Sequence, residues 1–397
     1  MICRSCSFKV INCISLIYLY YTWFIFEVQV IMEDEMDLST YKNIIKNTVA
    51  LDMPNYLKQR LINDIKKNKI AKDGSKEIEG IINLKGMQGQ LEKISTCIDK
   101  NNLTLKLLDL LEIKKGYKYS ILFQYLEIDF SEFKNKIDTF AVDINSDYYN
   151  YENEVNNDEI QYYDDEKTFI IKFHKYIEVI DKDVVEKKYL RYPIIFVFHK
   201  EFNLFEVRFD RLSFNNNNDF YFNTMLARLN TITGIYNFIY SYFNVEETIK
   251  EIVNNHKEIV EQIIWSFETA KSKGLTLRVG EDGIMPFLGE LEIIVKDLSN
   301  KYHEDKNVVE CLKEIEGYMN STKRFANEKF RILSWLKYED NGNNVKLDKT
   351  IDLKITFDYY KKGFALLNIY ENEINDMERI NHVIRFIGKI AEGIGKL

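Results

Sequence analysis

Apolar residues recur at helical spacing over much of residues 38–113. The first stripe follows Asp52-Met53-Pro54, and its members recur at helical spacing: Tyr56, Leu57, Leu61, Ile62 and Ile65. A second stripe, rich in leucine, predicts a helix from Leu91 to Ile113. We therefore predict a mostly helical region over residues 32–140, with one aromatic-rich strand at Tyr117–Phe130.

The pattern changes to a β-period after residue 167. Phe205, Val207 and Phe209 alternate with charged residues, as expected for a strand with two different faces. Pro193 is placed at the start of a strand, where its missing N–H is tolerated. The sequence thus predicts an antiparallel meander of four strands: Thr168–Ile180, Val184–Tyr192, Ile194–His199 and Asn203–Leu212.

Helical spacing returns after the meander. An aromatic-rich helix is predicted from Phe220 to Tyr242. Asn244 with Glu247 forms a capping box, and the apolar stripe behind it predicts one continuous helix that reaches Phe267. His256 lies on this stripe, so we expect a core or boundary histidine there rather than a ligand.

The last third of the chain is predicted to contain both helices and strands. The predicted elements are a strand at Leu275–Val279, helices at Pro286–Tyr302 and Lys306–Lys329, a strand at Arg331–Tyr338, a hairpin of Thr350–Asp358 with Gly363–Tyr370, and a helix at Asn375–Ile390. Because strands and helices come in runs, we predict an α+β fold. It has a helical N-terminal region, an antiparallel β-meander in the middle and a mixed helix and β-hairpin C-terminal region. The predicted regions are 1–31, 32–140, 141–166, 167–270 and 271–397.

The first 31 residues contain an uncharged segment, Val10–Phe26, which at seventeen residues reaches the lower limit for a membrane span. Three interpretations stay open: a membrane anchor, a buried apolar segment, or upstream sequence translated from a misassigned start, because Met32 opens an ordinary protein start. With an anchor, the rest of the chain would face the cytoplasm or the outside; without one, a cytoplasmic protein is expected.

Composition narrows the functional classes. The chain has a net charge of −8, and its 54 basic residues include only 11 Arg, so a surface that coats nucleic acid throughout is not expected. Abundant Lys, Asn, Ile and Tyr indicate an AT-rich genome, which favours a bacterial source. Few cysteines, without a disulfide framework, favour a reducing compartment. The common P-loop, dinucleotide-binding, nucleophile-elbow and H-E-x-x-H motifs are absent.

Two metal patterns are incomplete, and we predict no metal site from either. Residues 141–166 hold nine acidic and no basic residues, so we expect an exposed acidic loop. Asp143, Asn145, Asp147 and Glu154 match positions of a calcium-binding loop, but the glycine that its sharp turn requires is missing. Cys3 and Cys6 would supply half of a zinc site, but no second pair follows at suitable spacing.

A nuclease pattern offers candidate catalytic residues. Metal-dependent nucleases need two carboxylates for Mg²⁺ and a nearby lysine. Asp340, Asp352 and Lys354 fit this pattern, with Asp352 and Lys354 on one face of a strand. A chain this rich in acidic residues and lysine produces roughly seven such acid-x-lysine triplets by chance. We therefore expect the two aspartates not to converge and the strand residues to face solvent.

Two further groups are candidates for binding. Polar residues of the meander would form a patch if neighbouring strands present them on one sheet face: His174, Glu178, Glu206, Arg208 and Asp210. The first predicted helix carries basic residues that would contact nucleic acid or an anionic membrane: Lys58, Arg60, Lys66, Lys67 and Lys69. Ordinary charged surface is the alternative for both groups.

The sequence favours a non-enzymatic binding or interaction protein with nucleic-acid contact through residues 54–69. The alternatives are a metal-dependent phosphodiesterase or nuclease and a membrane-tethered cytoplasmic domain. No cofactor is identified. The expected partner is another protein or nucleic acid, and a membrane is expected only if residues 10–26 are a genuine anchor.

Overall fold

The structure is a computed structural model that describes residues 36–74, 78–139, 141–146, 160–181, 186–269, 272–277, 286–324, 327–340, 343–359, 362–370 and 377–397. These residues confirm the predicted α+β fold. The helices are α1 Leu38–Leu51, α2 Asn55–Lys67, α3 Gly89–Lys100, α4 Leu103–Lys114, α5 Phe130–Ile137, α6 Asn218–Ile235, α7 Val245–Asn255, α8 Pro286–Lys301, α9 Lys306–Arg324 and α10 Glu378–Gly393.

The strands combine into one large sheet and one small one. They are β1 Ala71–Lys72, β2 Ile82–Asn83, β3 Tyr119–Tyr125, β4 Val142–Asp143, β5 Ile160–Asp164, β6 Thr168–Asp181, β7 Glu186–His199, β8 Leu204–Phe209, β9 Tyr240–Tyr242, β10 Val260–Thr269, β11 Ser272–Leu277, β12 Asn327–Asp340, β13 Asn343–Thr356 and β14 Leu366–Ile369. The large sheet has the order β11-β10-β12-β13-β14-β3-β8-β7-β6-β5-β4, and β9 also pairs with β3. Strands from residues 32–140, 167–270 and 271–397 therefore share one sheet.

The two faces of the large sheet bury different side chains. One face is aromatic, and α5 and α6 pack on it with residues such as Phe133 and Met225. The other face is aliphatic beside α7 and α10, which contribute Ile249 and Ile384. Part of this second face is polar, and it lies against α1 and α4.

The predicted helical N-terminal region is present and has its own core. Helices α1 to α4 bury apolar residues against one another, including Leu61, Ile94 and Leu108. The predicted helix from Leu91 to Ile113 is, however, two helices. Asn101 adopts an extended conformation between them, and its side chain accepts a hydrogen bond from the backbone N–H of Leu103 (2.9 Å). This local bond competes with the helical pattern and turns the chain.

The predicted continuous helix from Asn244 to Phe267 is wrong in its second half. Helix α7 ends at Asn255, and His256 is its half-buried C-cap, packed edge-on against Phe386. The following residues form β10, which pairs with β12 on one side and β11 on the other. Adjacent β-branched and aromatic residues in β10 favour a strand, and two partner strands decide against helix.

Pro193 lies inside β7 rather than at the start of a strand. The backbone N–H of Arg191 donates to Thr48 Oγ1 of α1 (2.8 Å), and Tyr189 O accepts from Asn47 (3.4 Å). Backbone groups two residues apart point to the same edge, so the nitrogen of Pro193 also points away from β6. Strand β8 begins to pair with β7 only at Ile195. No ladder hydrogen bond is therefore lost at Pro193.

Smaller differences occur elsewhere. The helix predicted from Phe220 to Tyr242 ends at Ile235, and the helix predicted from Lys306 ends at Arg324. Ile160–Asp164, within the predicted acidic loop, is strand β5. Among the described residues, no helix combines the length and apolar character needed to cross a membrane. The segment Val10–Phe26 lies outside the described residues.

Candidate functional site

The register of the central strands places a set of polar residues on one sheet face. Lys172 of β6 pairs with Ile195 of β7, which pairs with Arg208 of β8. Paired residues share a face, and so do residues two positions apart on a strand. Six charged or titratable residues of β6, β7 and β8 are buried on this face: Lys172, His174, Arg191, His199, Glu206 and Arg208.

Three of them join two acidic residues of α4 in what we call the α4 ion cluster: Asp109, Glu112, Lys172, His174 and Arg191. Lys172 Nζ lies 2.8 Å from Asp109 Oδ1 and 2.9 Å from Glu112 Oε2. Arg191 contacts the same two carboxylates, each at 2.9 Å. His174 Nε2 lies 3.3 Å from Glu112 Oε2. Lys172 and Arg191 therefore each bridge both carboxylates, whereas His174 contacts Glu112.

Further polar groups complete the α4 ion cluster. Gln161 Nε2 of β5 donates to Asp109 Oδ2 (3.1 Å). Arg191 donates to the hydroxyl of Tyr41 in α1 (2.6 Å). Buried charges require such partners, because a charge removed from water without compensation is costly. The cluster consequently ties α1 and α4 to three strands of the sheet.

Sequence reasoning missed Asp109 and Glu112, although a signal was present. They stand three residues apart in a helix that is otherwise largely apolar, LTLKLLDLLEIK. That spacing puts both on one face of the helix. A helix that is apolar on all sides is buried, so its acidic residues must be buried with partners. The sequence could not name these partners, which come from strands more than fifty residues away.

Opposite charges hold both carboxyl groups in the ionised form. Burial by itself raises the pKa of Asp109, but Arg191 and Lys172 outweigh this effect and bring the pKa to about 2. Burial also favours a higher pKa for Glu112, but the same two cations outweigh it and hold the pKa of Glu112 well below its ordinary 4.5. The two carboxylates are thus matched in number by the two cations Lys172 and Arg191.

The α4 ion cluster also contains three donors close enough for one metal ion. A ligand atom from each of Asp109, Glu112 and His174 lies within 4.8 Å of the other two. Lys172 Nζ, however, already contacts both carboxylates, and the charges are balanced without a divalent ion. A metal would have to displace this ammonium group, so the cluster as folded does not fit a metal centre.

A second group, the β8 cluster, lies on the same sheet face and consists of Ser120, His199, Glu206, Arg208 and Asn381. Glu206 Oε2 accepts a hydrogen bond from Ser120 Oγ (2.5 Å). Glu206 Oε1 accepts from Arg208 and lies 3.0 Å from His199 Nε2. Arg208 also bonds to Asn381 of α10. Burial by itself raises the pKa of Glu206, but Arg208 and His199 outweigh this effect and hold the pKa well below its usual range.

The predicted polar patch is therefore divided between several environments. His174 belongs to the α4 ion cluster, whereas Glu206 and Arg208 belong to the β8 cluster. Glu178 lies at the exposed end of β6 and pairs with Lys187 (3.0 Å). Asp210 follows β8 and accepts from Lys115 Nζ (2.7 Å). The residues share a sheet face in part, but they do not form one accessible patch.

The register does not bring the candidate nuclease residues together. Asp340 pairs with Asn343 at the tip of the β12–β13 hairpin, whereas Asp352 pairs with Ser334. The six residues from Ser334 to Asp340 span about 20 Å of strand. Asp352 accepts from Ser334 Oγ (2.6 Å). This arrangement lends no support to a shared Mg²⁺.

Lys354 has an environment of its own. It is half-buried, and its Nζ lies over the ring of Phe330, 4.0 Å from the ring centre. Partial burial lowers its pKa. Lys354 is thus paired with an aromatic ring rather than placed in a carboxylate site.

The basic residues predicted to contact nucleic acid all lie on α2 and the turn that follows it. Lys67 and Lys69 are exposed, and Lys69 ends the helix with a φ of 58°. Lys66 pairs with Asp73. Lys58 follows buried Leu57, and its partial burial lowers its pKa. Arg60 is half-buried.

The remaining metal patterns fall mostly outside the described residues. Asp147, Glu154, Cys3 and Cys6 lie there, whereas the Asp143 side chain accepts from the backbone of Asn145 (2.8 Å) in a local turn.

The two buried clusters can hold strands and helices together, because each carboxylate in them contacts at least one buried basic side chain from another position in the fold. Within the described residues, a small pocket is found on the opposite, aromatic face, lined in part by Phe209, Arg211 and Tyr359. The clusters do not line this pocket. In comparisons with known proteins, no family model matches the chain, and no curated protein matches it either.

Proposed function

We propose that this chain is a non-enzymatic binding protein that contacts nucleic acid through the basic surface of α2. The observation that carries the proposal is the concentration of five basic side chains in one helix and its C-terminal turn. Lys67 and Lys69, which are exposed, form the centre of the proposed contact.

The charge distribution along the chain supports this location. Residues 36–114 contain fourteen Lys and Arg and ten Asp and Glu, a net charge of +4, whereas the whole chain has −8. Asp73 is shared by Lys66 and by Lys93, whose Nζ lies 3.7 Å away, so one carboxylate offsets two ammonium groups. A local excess of positive charge attracts phosphates even when the whole protein is acidic.

The α4 ion cluster supports the non-enzymatic part of the proposal. Catalytic groups must reach a substrate, but Asp109 and Lys172 are completely buried and bind each other. Strongly lowered pKa values accompany structural ion networks as well as active sites. A structural role accounts for all contacts of this cluster.

The test is binding of fluorescently labelled single-stranded and duplex DNA and RNA at several salt concentrations. We expect Lys67→Glu/Lys69→Glu to weaken binding about tenfold or more and to reduce the slope of log affinity against log salt by about 2. The matched control is Lys167→Glu/Lys257→Glu, which changes two exposed lysines elsewhere. Equal binding by both double variants, or no salt-dependent binding by the native chain, would contradict the proposal.

A further inference from the structure

Helices α8 and α9 form a hairpin that is inserted between β11 and β12. The two helices pack mainly on each other. Their shared seam is small, with Val295, Leu312 and Met319 buried and Val308 packed beside them. Two helices with so small a core gain little stability from each other alone.

Apolar side chains remain exposed beside the seam. On α8, Ile294 is 52% exposed, and on α9, Ile315 is 40% exposed. Further exposed residues of apolar character beside the seam are Leu291, Leu298, Cys311 and Tyr318. Contiguous exposed apolar residues of this kind indicate an interaction surface.

The exposed residues of both helices lie on one side of the hairpin. At about 100° per residue, the α8 group lies about 40–100° from Val295, and the α9 group lies about 60–120° from Leu312 in the same rotational sense. In two right-handed helices that pack antiparallel, equal rotation away from the seam leads to the same side. The hairpin therefore has one apolar face. Ile293, which is 63% exposed, lies about 160° from Val295 and thus on the far side.

The charges around this face fit a second copy better than a polyanion. Residues 286–324 contain eight acidic residues and six Lys and Arg, a net charge of −2, so neither nucleic acid nor an anionic membrane is attracted. Glu290 near the start of α8 and Lys301 at its end both flank the apolar face, about 120–140° from Val295 in the same rotational sense. An antiparallel arrangement of α8 with its own copy would put opposite charges next to each other.

We propose that the apolar face of the α8–α9 hairpin binds the same face of a second copy of this chain, so that the two hairpins form a four-helix bundle. Such a bundle buries the apolar positions that each hairpin leaves in water. A twofold axis is consistent with the self-complementary charges. This inference does not depend on the nucleic-acid contact of α2.

The test is sedimentation analysis of the full chain, because a dimer has twice the monomer mass of 47.3 kDa. We expect the native chain to dimerise, and we expect Ile294→Lys and Ile315→Lys each to weaken dimerisation at least tenfold. Ile293→Lys is the matched control: it adds the same charge one residue away, at a more exposed position, and should leave the dimer unchanged. Circular dichroism and urea midpoints establish that each variant is folded.

Three results would overturn the inference. One is a native chain that stays monomeric up to about 100 µM. Another is dissociation by Ile293→Lys to the same degree as by Ile294→Lys. The third is a monomer that binds phosphatidylcholine vesicles and loses this binding in Ile294→Lys, which would assign the face to a membrane.

Discussion

Charged residues are buried among apolar neighbours in the central part of this molecule. Lys172 stands between Ile171 and Phe173, and Arg191 stands between Leu190 and Tyr192. Each would be costly to bury alone, and Asp109 with Glu112 makes both burials possible. Removal of one member therefore has a larger effect than the loss of an ordinary ion pair, because the others stay buried.

At the residue scale, we predict that Asp109→Asn lowers the free energy of unfolding at neutral pH by about 3–5 kcal/mol, because it leaves excess positive charge in the core. Asp99→Asn is the control, since Asp99 is 53% exposed and pairs with Lys46 at the surface. We expect that change to cost less than about 1 kcal/mol. Urea unfolding of both variants measures the difference. Similar losses in the free energy of unfolding would show that the buried α4 ion cluster stabilises the fold no more than a surface ion pair does.

The same substitution should change the dependence of stability on pH. The pKa of Asp109 is lowered from 3.8 to about 2, so its carboxylate stabilises the fold above pH 3.8, and the contribution disappears as the pH falls toward 2. The native chain should lose stability over this interval faster than Asp109→Asn does. Parallel stability curves for the two proteins would refute this assignment.

At the scale of elements, the boundary between α7 and β10 is decided by strand pairing. Spacing alone favours one helix that continues past Ile263 to Phe267, since apolar residues recur at helical spacing on both sides of His256. In the structure, β10 pairs with β12 from Val260 onward and with β11 from Trp265 onward, and these pairings satisfy much of its backbone. Burial follows the same division: Ile252 is fully buried in α7, whereas Ile263 is half-exposed in β10.

We predict that Ile252→Ala destabilises the fold by about 2–5 kcal/mol, the range for a fully buried isoleucine. Ile263→Ala should cost less than half as much, because much of its side chain is already in water. The midpoints of urea unfolding compare the two variants directly. Equal losses would favour the continuous helix that the apolar spacing suggests.

At the scale of the whole molecule, the large sheet joins segments that are far apart in sequence. Strand β14 pairs with β3, about 250 residues earlier, and Arg191 reaches Tyr41 across 150 residues. The helical N-terminal region is therefore attached to the sheet through the α4 ion cluster and α1. No apolar run after Met32 is long enough to span a membrane.

We accordingly predict that a chain shortened to begin at Met32 folds and stays in solution without detergent. The reason is that Val10–Phe26, the longest uncharged apolar run, precedes this residue. Circular dichroism and light scattering of the shortened chain, compared with the full chain, provide the measurement. Aggregation that only detergent reverses would show that the first 31 residues are needed in solution.

The sequence by itself determined the α+β class, the helices of residues 38–113 and most strands of the meander, because these follow from local periodicity and residue preference. It also placed Glu206 and Arg208 on one face of their strand, since alternation along a strand is local, whereas His174 joins that face through the register of β6, β7 and β8. Tertiary structure alone decided that Asp109 and Glu112 meet Lys172 and Arg191 and that β10 is a strand. Each of these depends on which distant segments pair and in what register, and the energy of such pairing comes from burial and hydrogen bonds between segments that no local pattern encodes.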